Sequence, residues 1–253
     1  MINQNKPILT VQGLSVFFPK KQGLFYKNRS PGQVLFDINL DLFIGRITAL
    51  VGESGSGKTT IGNALVGLVD HFSGEFQFDG TLYNPLKMSH LRSEIQFIFQ
   101  DSLSALNPRM TTGQTLNEVL LLHHSSETVG SLLEQVDLYG EITGKYPHEI
   151  SGGQRQRVNI ARALAVNPQV LICDEIVSAL DLSIQAKILN LITSLVRERN
   201  LAILFISHDL NVVKAFAESI IVLSKGKIVE RGDAQQIMNS PQHHYTQSLI
   251  SAM

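Results

Sequence analysis

The sequence predicts an α/β fold, and three observations predict it. Apolar runs that read as buried strands, Ile47–Val51, Ile95–Phe99, Val170–Cys173 and Leu201–Ile206, alternate with stretches of helical period. The first run leads through a glycine-rich segment, Gly52-Glu53-Ser54-Gly55-Ser56-Gly57-Lys58-Thr59, into a helix-like pattern. The other three runs end in polar residues: Gln100, Asp174-Glu175 and Ser207-His208-Asp209. Open α/β sheets bind ligands at the carboxyl ends of their strands, where these residues fall.

Taken in order, Ile8 to Val51 is strand-rich, with a Gly/Pro/basic loop at Lys20 to Gly32. The segment from Gly52 to Thr59 fits the pattern G-x-x-x-x-G-K-[ST]. Its glycines let backbone N–H groups turn inward around phosphates, and the helix that follows points its positive end to the same place. Lys58 would reach the outer phosphates and Thr59 would offer a hydroxyl to Mg²⁺, which implies binding of ATP or GTP. The helix pattern from Ile61 to Val69 places Ile61, Leu65, Val66 and Leu68 on its apolar positions, and Gly74–Phe78 is strand-like. From Ser102 to about Pro168 the pattern turns helical and loop-rich, including Thr115–Leu122, Thr128–Val136 and a helix from Gln154 through Leu164. Strands and helices alternate again from Val170 to Val229, and Ser240–Ala252 reads as a final helix.

Hydrolysis at such a loop needs a carboxylate to support Mg²⁺ and a group to orient the attacking water. Adjacent side chains at a strand's end point in different directions. Asp174 can therefore face the metal while Glu175 addresses the γ-phosphate side. Gln100 is uncharged and can touch both Mg²⁺ and water, and His208 stands at a strand's carboxyl end.

Composition narrows the class. The chain of 253 residues is 43% hydrophobic, ample for one large α/β domain or a core with an inserted subdomain. A net charge of −1 lends no support to a nucleic-acid partner. The lone Cys173 lies within a predicted strand and reads as a small core residue, and its isolation suits a reducing compartment. Met1–Thr10 carries no apolar signal region, and no apolar run reaches the roughly 18 residues of a membrane helix. His123-His124 and His243-His244 read as solvated loop residues, since no Cys or carboxylate is spaced with them as a ligand set. The Lys20-Lys21 and Lys27-Asn28-Arg29 cluster reads as a solvated loop rather than a lipid contact.

Together with Ser151-Gly152-Gly153-Gln154 and Ser178-Ala179-Leu180-Asp181, these residues resemble an ABC-type ATPase over nearly the whole chain. The resemblance implies a P-loop NTPase cassette with a RecA-like core, an antiparallel β subdomain and an inserted helical subdomain. Residues 1–101 and 169–253 would form the core with its β subdomain, and 102–168 the helical insertion carrying the signature. In that family Gln100 is similar to the Q-loop glutamine, Asp174 to the Mg²⁺-supporting aspartate and Glu175 to the general base. His208 resembles the switch histidine and Asp181 the D-loop aspartate. The implied nucleotide contacts are the loop from Gly52 to Thr59, the adjoining Thr60, and Phe18 or its neighbour Phe17 stacked on adenine. The signature residues Ser151 to Gln154 would face the γ-phosphate held by a partner, which implies a head-to-tail dimer with two ATP molecules at its interface.

A closer match is visible. Phe99-Gln100-Asp101 through Asn107-Pro108-Arg109-Met110-Thr111, Tyr146-Pro147-His148-Glu149, Ser183-Ile184-Gln185-Ala186 and Tyr245-Thr246-Gln247-Ser248-Leu249 resemble the ATPases of oligopeptide, dipeptide and nickel importers. The Lys20–Gly32 insertion resembles the second, F-type, ATPase of two-ATPase importers. Ile176 and His244 stand where the family usually has proline. The cysteine-rich tail that holds an iron–sulfur cluster in many members is not found, which points to short nickel- or metallophore-type members. The resemblance implies an importer subunit at the cytoplasmic face of the inner membrane. Its partners would be a second ATPase (a relative more readily than a copy), two permease subunits and, indirectly, a substrate-binding protein. The competing reading is a soluble ABC-type ATPase acting on nucleic acid or ribosomes.

Overall fold

A computed structural model describes Lys6–Phe18 and Gly32–Ala252. Most of the Lys20–Gly32 insertion, including both basic clusters, lies outside the described residues. The chain divides into two compact units, one running to His90 and resuming at Ala202, the other Leu91–Leu201.

The first unit opens with strands β1 (Leu9–Phe18), β2 (Gly32–Leu42) and β3 (Ile47–Val51), helix α1 (Lys58–Leu65), and strands β4 (Phe72–Phe78) and β5 (Thr81–Tyr83). The second unit contains β6 (Ile95–Ile98), α2 (Thr112–Leu122), α3 (Val129–Glu134), α4 (Gly152–Leu164), β7 (Val170–Asp174) and α5 (Leu182–Arg199). The chain then returns to the first unit with β8 (Ala202–Ser207), α6 (Leu210–Lys214), β9 (Ser219–Ser224), β10 (Lys227–Asp233), α7 (Ala234–Asn239) and α8 (His244–Ser251).

Two sheets organise the first unit. One is antiparallel, in the order β2-β1-β4-β5. In the other, β3 runs parallel to both β8 and β9, and β10 closes the edge antiparallel to β9. Every residue of β3 and β8 is buried, the pattern of parallel strands covered on both faces, and this explains why both read as unbroken apolar runs. The short β5 was not anticipated. Its signal was the Asp79-Gly80 pair, where both residues adopt positive φ and turn β4 directly into β5.

Helix α1 differs from the expected Ile61–Val69 span at both ends. It starts at Lys58 and stops at Leu65, because Gly67 turns left-handed (φ 71°) and a side chain there would drive into the Pro85 carbonyl. Leu68, counted as apolar helix face, is instead 58% exposed.

In the second unit β6 and β7 pair in parallel, Ile95 opposite Val170 and Ile98 opposite Cys173. Its helices are capped by their own sequence. Thr111 and Gln114 form a reciprocal capping box on α2, Thr128 and Ser131 on α3, and Ser151 and Gln154 on α4. The signature helix therefore begins at Gly152, two residues before the expected Gln154, because Ser151 satisfies its first turn. Arg199 at the end of α5 pairs with Glu127 at 3.0 Å and ties the start of α3 to that helix. Leu132, Val158, Ile160, Ile188 and Ile192 are fully buried.

Cys173 is fully buried, and that burial raises its thiol pKa far above the ordinary range, with the Asp174 carboxylate adding to the effect. The native protein is therefore expected to resist iodoacetamide at pH 8 and to react fully once unfolded. Mass spectrometry of the single alkylation site measures it, and rapid native labelling would contradict the burial of β7.

Candidate functional site

In the first unit the candidate residues gather at one end of the parallel strands. Val51 of β3 lies opposite Ser207 of β8, so the glycine-rich loop and His208 leave neighbouring strands at the same edge. The loop closes on its own lysine: the Lys58 ammonium, only 4% exposed, donates to the Gly52 carbonyl at 2.9 Å and the Glu53 carbonyl at 3.0 Å. Gly57 caps α1 with a φ of 110° and no side-chain acceptor. The N-terminus of a helix carries backbone donors with no intrahelical partner and a positive dipole end, which together favour an anion. The Ser56 hydroxyl is buried and has no hydrogen-bond partner among the described residues. A buried ammonium, an orphaned hydroxyl and a helix start without a side-chain cap fit a phosphate chain.

His208 follows β8 directly. The backbone on its far side is fixed by Asp209, whose N–H donates to the Ser207 hydroxyl at 3.0 Å and whose carboxylate caps α6 through the Asn211 N–H at 2.8 Å. His208 and Glu53 of the loop line one cavity of about 400 Å³, with Asp209 and the α8 residues Tyr245, Ser248 and Leu249. At the end of β1, Phe18 is 44% exposed while Phe17 is half-buried, so Phe18 has the more open ring. Thr60 lies in the first turn of α1.

In the second unit the structure joins Gln100 directly to Glu175: the Gln100 amide donates to the Glu175 carboxylate at 3.1 Å and reaches the Ser178 hydroxyl at 3.5 Å. Ser178 in turn donates to the Glu175 carbonyl at 2.9 Å. Asp174 ends β7 almost fully buried, 3% exposed. Glu175 takes a left-handed backbone (φ 48°), an uncommon conformation for a residue other than glycine. The chain thus turns sharply between the two carboxylates. Asp181 caps α5, accepting from the Ile184 N–H at 3.0 Å and the Ser183 hydroxyl at 2.8 Å. Those bonds, the Ile184 amide first, hold its carboxyl below the usual range.

The signature residues share this unit. The Ser151 hydroxyl accepts from the Gln154 N–H at 3.2 Å, and the Gln154 side chain accepts from the Ser151 N–H at 2.9 Å. Gly153 packs against Ile184 of α5 so closely that an added methyl would stand 2.5 Å from Ile184 Cγ2.

No group of three or more His, Cys, Asp or Glu residues among the described residues is arranged to hold a metal by itself. Mg²⁺ needs no such cage, since it is commonly held by one or two protein oxygens together with phosphates and water. The Thr59 hydroxyl and the Asp174 carboxylate are oxygens of the right kind.

Two features escaped sequence reasoning. Ser178 stands in the sequence only as part of a motif, and its place between Gln100 and Glu175 depends on the turn at Glu175. The Tyr245 hydroxyl accepts from the Glu53 N–H at 3.1 Å, a contact across 192 positions that no local pattern announces. His243 is also more than a loop histidine, since its ring caps α8 by accepting from the Tyr245 N–H at 3.1 Å.

Residues 35–178 match the family model described as ABC transporter. The chain belongs to the ABC transporter family. ABC relatives extend the match over nearly its full length. The chain is 46% identical to the glutathione import ATP-binding protein GsiA of Pectobacterium atrosepticum, covering 98% of this chain and 41% of that protein. It is 44% identical to GsiA of Escherichia coli strain K12 over the same shares. It therefore spans about two-fifths of the length of these relatives. Among solved ABC structures, the cassette MJ0796, a dimer in a post-hydrolysis state bound to ADP and Pi, superposes with a TM-score of 0.76 at 26% identity. That match covers 89% of this chain and 98% of MJ0796. CbiO1 of Clostridium perfringens, part of the ABC transporter complex cbiONQ, superposes with a TM-score of 0.77 at 24% identity, over 93% of this chain and 92% of that one. The fold is the mixed α/β ABC cassette.

Proposed function

We propose that this chain is the ATP-binding and ATP-hydrolysing subunit of a bacterial ABC importer. The observation that carries the reading is the loop at the end of β3, where the buried Lys58 ammonium, the unpartnered Ser56 hydroxyl and the uncapped start of α1 converge. The loop from Gly52 to Thr59, with Thr60, cradles the phosphates, and Phe18 stacks on adenine. Mg²⁺ neutralises charge on the phosphates when bound. Thr59 would offer it a hydroxyl, Asp174 would support it, and Gln100 would contribute its amide oxygen. Glu175 accepts the proton of the attacking water, and His208 donates to the γ-phosphate. Asp181 relays between subunits.

Ser151 to Gln154 serve the nucleotide held by a second cassette, a relative in preference to a copy. The dimeric MJ0796 structure supports pairing of this kind. Residues 102–168 act as the inserted helical subdomain between core segments 1–101 and 169–253. No helix among the described residues is long and apolar enough to cross a membrane, which accords with peripheral attachment at the cytoplasmic face to two permease subunits supplied by other chains. Of the cargo classes peptide, nickel and metal chelate, the glutathione-import relatives support peptide. The same relatives, with a net charge of −1, weigh against an ATPase acting on nucleic acid or ribosomes.

Affinity capture of the tagged chain from detergent-solubilised membranes tests this. Permease subunits and Mg²⁺-dependent phosphate release are expected in the eluate, whereas recovery with ribosomes or nucleic acid and no membrane protein would overturn the importer reading.

A further inference from the structure

The hydrogen bond between α8 and the phosphate loop has a geometry that reaches Lys58. The Gly52 carbonyl and the Glu53 N–H belong to one peptide group, and a trans peptide is rigidly planar. Fixing the direction of its N–H therefore fixes the direction of its oxygen. The Tyr245 hydroxyl accepts from that N–H at 3.1 Å, and the oxygen of the same peptide accepts from the Lys58 ammonium at 2.9 Å. On the other side the loop is walled by β9: a methyl on Gly52 would stand 2.1 Å from the Leu223 carbonyl oxygen. The peptide is held between a strand and a tyrosine.

The tyrosine is itself anchored. Its N–H donates to the His243 ring at 3.1 Å, and the Glu230 carboxylate on β10 accepts from the Gln242 N–H at 2.7 Å and the His243 N–H at 3.0 Å. Those bonds pin the start of α8 to β10, so the hydroxyl is presented from a fixed base.

We propose that Tyr245 is a positioning residue for ATP: its hydroxyl orients the Gly52–Glu53 peptide, and through it the loop and Lys58, for the phosphates. The inference rests on the nucleotide reading above and adds one residue of the C-terminal helix, Tyr245, to the binding machinery. Tyr245→Phe removes one oxygen and keeps the ring. ATP affinity is expected to fall about three- to ten-fold, the worth of one hydrogen bond, as a rise in KM with kcat within about two-fold. The melting temperature should hold, and Ser248→Ala, on the same helix and cavity wall, should bind ATP normally.

Amide hydrogen exchange supplies a readout that needs no nucleotide: the Glu53 N–H should lose protection in Tyr245→Phe and keep it in Ser248→Ala. Unchanged KM, or unchanged Glu53 protection, overturns the proposal, as does a lower melting temperature with KM unaltered, which would make Tyr245 a helix anchor only. If the unaltered chain binds no ATP, the nucleotide reading fails, and the exchange comparison still decides whether Tyr245 holds the peptide.

Discussion

Glu175→Gln is expected to bind ATP as the unaltered chain does and to hydrolyse it about 10²–10⁴ times more slowly, the range lost with a general base. Glutamine keeps the size of the side chain and its ability to pair with the Gln100 amide at 3.1 Å, but it cannot take a proton. The left-handed backbone at Glu175 (φ 48°) gives a second reason to place chemistry there. Such a conformation costs on the order of 1–3 kcal/mol, and residues held in it cluster at active sites. Phosphate release at saturating Mg²⁺–ATP, beside a nucleotide titration, measures the effect. Equal rates in the two proteins would remove Glu175 from the mechanism.

The second large effect is expected at Gly52→Ala. The added methyl would lie 2.1 Å from the Leu223 carbonyl oxygen, a backbone atom of β9, which is paired on one side with β3 and on the other with β10. Neither neighbour can give way without breaking sheet hydrogen bonds, so the loop must move instead. Overpacking of this kind costs about 1–3 kcal/mol, and for a chain of this size each kcal/mol lowers Tm by about 2–4 °C. A loop displaced from β9 also carries the Gly52 carbonyl away from Lys58, so ATP binding is expected to be lost together with the stability. Thermal melts and ATP titrations check both. An unchanged Tm with full affinity would show slack between loop and strand that the structure does not contain.

Much of the molecule was legible before folding. All four apolar runs form strands: β3, β7 and β8 are buried along their whole length, which leaves their apolar pattern almost unbroken, while the edge strand β6 keeps Gln96 half-exposed. The helices of the second unit were legible as segments but not at their starts. Thr111 caps α2 so that it begins at Thr112, three residues ahead of the expected Thr115; Thr128 is the cap of α3 rather than its first residue; and the Ser151 cap starts the signature helix two residues before Gln154. Helix α1 ends before its apolar pattern does, since Leu68 still fits a helical period. Only the close approach of Pro85 at Gly67 shows that the chain has already turned.

The sequence by itself determined the chemical inventory: a phosphate loop with its lysine and threonine, paired carboxylates at a strand's end, a glutamine, a histidine and a signature helix. These follow from residue type and short spacing, which local geometry converts directly into donors, acceptors and turns. Tertiary structure alone decided which of them touch. The Gln100–Glu175 bond spans 75 positions and the Tyr245–Glu53 bond 192, and each depends on how strands return to one another rather than on any local preference. Strand register and helix placement set such distances, and they are properties of the packed core, not of a segment read alone.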